Sequence, residues 1–188
     1  MIKHQLSFFL TLFLFLTACQ PVPEGDTAKA QAKSETSIID QRLQELNITL
    51  PEPTTPVANY VNAVTTGNLV FLAGKGPKKA DGTYITGKVG VDLTESEGYA
   101  AAKLVAINQL AALKAEIGNL DRVKRIVKVL GMVNCAPDFG NQPEVINGFS
   151  DTMVEVFGEK GKHARAAVGM GSLPRNIAVE IEMIVEIE

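Results

Sequence analysis

The C-terminal stretch constrains this chain more than any other. From Ile177 onward, Ile177, Val179, Ile181, Met183, Val185 and Ile187 fall on one side, and Glu180, Glu182 and Glu186 on the other. Successive side chains of a strand point to opposite faces, so this period of two describes a strand with one face against a covering layer. Two helices are available to cover it. Thr94-Glu95-Ser96-Glu97 matches a capping box and starts one at Thr94; Leu104, Ile107, Leu110, Ala111 and Ile117 form its apolar side, and Gly118-Asn119 stops it. Asn141 to Phe157 carries Val145, Ile146, Phe149, Met153, Val156 and Phe157 at helical spacing, opened near Pro143 and closed by Gly158.

The remaining elements follow from turn chemistry. A short helix at Ile38 to Ile48 cannot continue through Pro51 and Pro53. Val57 to Val64 and Leu69 to Ala73 form a hairpin about Thr65-Thr66-Gly67-Asn68, and Asp81-Gly82 turns into a short strand at Thr83 to Ile85. Arg122 to Val133 is a central strand, and Ala164 to Gly169 is a strand of small residues. The order β-β-β-α-β-α-β-β implies an α+β domain of two layers, a mixed sheet with both helices packed on one face. Ile184 and Leu130 lie among charges on the other face, so a closed oligomer is expected to cover it.

The first residues do not belong to that domain. Lys3 and His4 precede an apolar run from Leu6 to Leu16, about half the ~20 residues a spanning helix needs, and Leu16-Thr17-Ala18-Cys19 follows. This ending resembles the bacterial lipobox. It implies a lipoprotein signal peptide over residues 1–18, a lipidated Cys19, and membrane association through that lipid. Gln20 after the cysteine favours the outer membrane, facing the periplasm. Residues 19–37 lack bulky apolar side chains and read as a tether, leaving 38–188 as one folded domain.

Composition removes several functions. The net charge is −3, and no basic run exceeds Lys78-Lys79, so a nucleic-acid partner is disfavoured. His4 and His163 are the only histidines, and with Cys19 lipidated Cys135 is the only thiol, which excludes a zinc site of nitrogen and sulfur ligands and an internal disulfide. Gly169-Met170-Gly171-Ser172 runs into Leu173-Pro174 and not into a helix, so it lacks the context of a phosphate loop.

Three blocks carry a resemblance. Tyr60 to Val64 with Gly67 to Gly74, then Val127-Lys128-Val129 with Asp138-Phe139, then Ala164 to Val168 with Leu173-Pro174-Arg175 and Val179 to Glu182, resemble the RidA family, also called the YjgF or L-PSP endoribonuclease family. Gly87 to Gly90, Asn147-Gly148 and Gly161 to Arg165 look like its longer chorismate-mutase-like branch. The resemblance implies a homotrimer with clefts between subunits. It also implies hydrolysis of reactive 2-imino or enamine acids to 2-keto acids and ammonia, without metal or organic cofactor. By the same resemblance Arg165 fixes the substrate carboxylate, Glu180 handles the attacking water, and Tyr60, Ala73 and Ala167 border the pocket. Ala73 and Ala167 depart from the family, standing where its well-studied deaminases carry serine and cysteine. A non-catalytic carboxylate-binding module of the same fold is therefore the alternative, and the ribonuclease reading is disfavoured by charge.

Overall fold

The computed structural model describes residues 37–53, 56 and 58–188. The expected signal peptide, Cys19 and nearly all of the expected tether lie outside the described residues. No helix among the described residues is long and apolar enough to cross a membrane.

Thr94 caps its helix as the sequence predicts: its hydroxyl accepts from the Glu97 amide, and the Glu97 carboxylate accepts from the Thr94 amide at 2.8 Å. These two bonds satisfy amides that the first turn would otherwise leave unpaired. In chain order the elements are helix α1 (Ile38–Glu45), strands β1 (Ala63–Thr66) and β2 (Leu69–Lys75), helix α2 (Glu95–Ile117), strand β3 (Val123–Asn134), helix α3 (Gln142–Phe157), and strands β4 (Ala164–Met170) and β5 (Val179–Ile187). The strands form one sheet ordered β1-β2-β5-β3-β4, antiparallel except for the β3–β4 pair. Its helical face buries Val70, Leu72, Ile126, Val129, Val133, Ile181, Met183 and Val185 beneath α2 and α3. The chain is thus the expected two-layer α+β domain, with α1 as a small third helix near the end of α3.

Three local expectations change. The first hairpin strand is β1, Ala63–Thr66, and not Val57 to Val64: Thr65 and Thr66 pair with Val70 and Leu69, which leaves Gly67-Asn68 alone as the turn. Thr83 to Ile85 does not form a strand of the sheet; single bridges, Lys78 to Tyr84 and Thr86 to Ile177, pin this loop instead. On α2, Leu104 and Ile107 are only half-buried, and the fully buried stripe runs through Ala101, Ala102, Val105, Ala106, Gln109, Leu110 and Leu113. The physical reason is the closeness of α3. A methyl on Gly148 would collide with the Tyr99 carbonyl of α2, so the helices meet nearly backbone to backbone, and small residues must face that crossing.

The other face is open and mixed. Val64, Phe71, Leu130, Met132, Ile184 and Val168 are interleaved there with Lys128, Glu182 and Glu186. Val64 is 54% and Phe71 41% exposed, which marks a surface left unfinished within one protomer.

Candidate functional site

β4 is an edge strand, and its register decides what its side chains can meet. Arg165 stands opposite Val129 and Ala167 opposite Gly131, so both lie on the helical side. There α3 supplies neutral acceptors: Arg165 Nη1 donates to Asn147 Oδ1 at 2.9 Å and to Ser150 Oγ at 3.0 Å. Ser150 also lies 3.1 Å from His163 Nε2, while His163 Nδ1 is 2.7 Å from the Gly161 carbonyl. The carbonyl can only accept, so Nδ1 holds the ring proton and Nε2 takes the Ser150 hydroxyl hydrogen. Burial pushes His163 below its usual pKa; the Gly161 bond opposes this and the Arg165 charge adds to it. A neutral ring thus completes a one-way chain of donors from Arg165 through Ser150 to His163.

No carboxylate pairs with Arg165 among the described residues, and its protein hydrogen bonds all leave from Nη1. The Nε–Nη2 edge remains, and its two parallel N–H groups match a carboxylate.

Glu180 belongs to a different place. It pairs with Met132 across β5 and β3, on the open face. Beside it the β2–β5 register slips, so that Ala73 and Gly74 together stand between the Leu72–Met183 and Lys75–Ile181 pairs, where β5 has only Glu182. A methyl on Gly74 would overlap the Glu180 carboxylate, so glycine is required for that carboxylate to lie against the bulge. Burial raises the Glu180 pKa above the ordinary carboxylate value and the Glu182 charge raises it further. No cation pairs with Glu180 among the described residues.

The bulge is held from behind. Gln109, fully buried on α2, donates through Nε2 to the Ala73 carbonyl at 3.0 Å and the Ile181 carbonyl at 2.7 Å, bridging the two strands where their ladder is interrupted. Its Oε1 has no protein partner among the described residues.

The residues read from the sequence as one site therefore fall into separate groups within a protomer. Ala73 belongs to the bulge against which Glu180 lies; Arg165 and Ala167 sit on the β4 edge, two strand spacings or about 10 Å across the sheet from the Glu180 strand and on the face opposite Glu180. Tyr60 precedes β1 at the far edge, 53% exposed, in a groove with Ala112 and Ala115 of α2. Asn147, Ser150, His163, Gly74 and Gln109 were not singled out as site residues. Asn147, His163 and Gly74 lie inside the motifs that carry the family resemblance, Gln109 stands out as a polar residue inside the apolar stripe of α2, and Ser150 has no such signal. Among the described residues no group of histidine, cysteine, aspartate or glutamate is arranged to hold a metal.

The chain is similar to known proteins in sequence and in fold. The chain is 44% identical over 146 residues to protein TCP17 of Trypanosoma cruzi, covering 77% of this chain and 91% of that one. It is similar to a crystal structure of a protein of unknown function from Agrobacterium tumefaciens, with TM-score 0.74 and 45% identity over 80% of this chain and 94% of that one. A crystal structure from Shewanella oneidensis, described as a putative endoribonuclease, matches with TM-score 0.76 and 31% identity over 79% of this chain and 99% of that one. The family model described as "YjgF/chorismate_mutase-like, putative endoribonuclease" matches residues 40–187, from α1 to the end of β5, and the chain belongs to that family.

Proposed function

We propose that the protein is a RidA-like deaminase that hydrolyses small 2-imino or enamine acids in a cleft between two copies of the chain. One observation carries this reading: Arg165 and Glu180, each without an oppositely charged partner among the described residues, lie on opposite faces of one sheet and cannot serve one substrate within a protomer. A second copy brings the β4 edge of one protomer to the bulge of another, and the half-apolar open face supplies a surface for association. We take the assembly to be a homotrimer. Arg165 grips the carboxylate through Nε and Nη2. Glu180 accepts a proton as water adds to the C=N carbon of the iminium form and returns it to nitrogen; as the C–N bond of the tetrahedral carbinolamine breaks, Glu180 takes the hydroxyl proton, so that the C=O of the 2-keto acid forms, and passes it to the departing ammonia. Within one protomer, burial and the Glu182 charge raise the Glu180 pKa, so Glu180 stands ready to exchange a proton with water once substrate and a second copy complete the cleft.

The test is imine decay followed by semicarbazide trapping, with light scattering for the copy number. Decay faster than buffer, lost in Arg165→Ala, supports the reading. Decay at the buffer rate with Arg165-dependent carboxylate binding leaves the binding module, which the methyls of Ala73 and Ala167 favour by offering the substrate no polar group. We further propose that the domain is tethered in the bacterial envelope through lipid on Cys19; an unmodified Cys19 in the native host, read by mass spectrometry, would remove that proposal.

A further inference from the structure

The loop after β2 encloses a recess of about 250 Å³ between α2 and the Pro51–Pro53 segment. Lys75, Lys78 and Lys79 line it over a floor of Ala111 and Ala112. Three contacts fix the loop without using the lysine ammonium groups. Asn108 of α2 donates through Nδ2 to the carbonyls of Gly76 at 3.3 Å and Lys78 at 3.1 Å. Lys78 bridges Tyr84 in antiparallel fashion, and Gly76 passes so close to Tyr84 and Ile177 that a methyl there would lie 2.9 Å from Ile177 Cδ1. The recess is therefore preformed.

Its charge is unbalanced. Three lysines face one glutamate, Glu52, in a protein whose net charge is −3, and no ion pair among the described residues involves any of the four. Lys75 is half-buried and among the described residues donates only to the neutral Asn62 Oδ1; burial pushes its ammonium pKa below the usual lysine value. A partly desolvated ammonium without a counter-charge is costly, and a bound anion offsets that cost. The alanine floor and proline wall offer apolar contact beside the charge. The volume falls below the roughly 300–1,000 Å³ of pockets for drug-sized ligands, so the occupant is small.

We propose that this recess binds a small organic anion, the lysines taking the anionic head and the alanine and proline walls an apolar body, independently of the Arg165 edge. Isothermal titration of the purified full-length protein with benzoate tests it, in an Arg165→Ala background so that the edge does not contribute. Benzoate should bind this variant. Adding Lys75→Met, or separately the half-buried Lys78→Met together with the exposed Lys79→Met, should weaken it at least tenfold, with the unliganded melting temperature changed little by the latter pair. Inorganic phosphate, which has charge without an apolar body, should bind at least tenfold more weakly than benzoate. No benzoate heat at millimolar concentration in Arg165→Ala, or affinity untouched by both lysine changes, overturns the proposal; phosphate binding as tightly as benzoate overturns the organic-anion assignment. A failure of imine hydrolysis has no bearing on these outcomes.

Discussion

Arg165 and Glu180 occupy opposite situations. Arg165 stands at a sheet edge, oriented by the neutral side chains Asn147 and Ser150, with a positive charge that no carboxylate among the described residues neutralises. Glu180 is half-buried on the other face against a glycine bulge, with Glu182 as its charged neighbour. In each place the scaffold fixes the geometry of a charged group while withholding the counter-charge. A solitary chain gains nothing from that, since desolvation and like-charge repulsion both disfavour it. The arrangement becomes favourable only when the missing charge arrives from outside, as a ligand or a second copy.

The largest expected effects test whether the two places cooperate. Glu180→Gln should lower turnover by about 10²- to 10⁴-fold with little change in binding, since the amide can hydrogen-bond water but cannot exchange a proton. Arg165→Ala should lose about 2–4 kcal/mol of transition-state stabilisation. If the site lies between copies, unfolding and refolding the two inactive variants together at equal amounts should restore about a quarter of wild-type activity, because in a closed assembly a random interface pairs an intact Arg165 with an intact Glu180 one time in four. No recovery would place both residues in the same protomer and break the comparison.

Removing the support behind the bulge comes next. Gln109→Leu leaves the Ala73 and Ile181 carbonyls buried without their donor, so chemical denaturation should show a loss of about 1–3 kcal/mol. The β4 edge draws nothing from Gln109, so carboxylate binding at Arg165 should change far less than turnover at Glu180.

What the sequence disclosed follows the same division. The alternation from Ile177, the Thr94–Glu97 box and the stripe from Val145 to Phe157 are local patterns, and each became the element it predicts. The faces of Arg165 and Glu180 were not legible, because the period of two fixes faces within a strand but not between β4 and β5, whose relation depends on two pairings with β3. The same ignorance of neighbours misjudged α2. Leu104 and Ile107 outrank alanine in hydrophobicity, yet a helix lying against the Gly148 backbone admits only small residues on its tightest side. Thr83 to Ile85 has strand composition but no free sheet edge beside it, so it is pinned by isolated bridges.

A smaller effect separates orientation from charge on the β4 edge. Asn147→Ala removes one of the two acceptors of Nη1 and leaves the guanidinium itself, so carboxylate affinity should fall by about 0.5–1.5 kcal/mol. KM should rise with kcat nearly constant. A fall in kcat alone would show that Asn147 acts on the chemistry and not on Arg165.

The smallest expected effect is a change of sign. A carboxyl with a raised folded pKa binds its proton more tightly folded than unfolded; its contribution to stability is complete below the ordinary carboxylate pKa and is lost as pH rises through the folded value. Glu180 is such a group within one protomer, through burial first and Glu182 second. Glu180→Gln removes that loss. Where association is prevented, for which the neutral change Phe71→Asn on the open face is suited, Glu180→Gln should raise the melting temperature at pH 7, with the gap closing near pH 4. If association brings Arg165 of a second copy to Glu180, that charge favours the ionised form, and there the same substitution should lower the melting temperature at pH 7. Melting curves of the two pairs, recorded at both pH values, decide the matter: the same sign in both would mean that association does not bring Arg165 to Glu180, and the two charges would then await separate ligands.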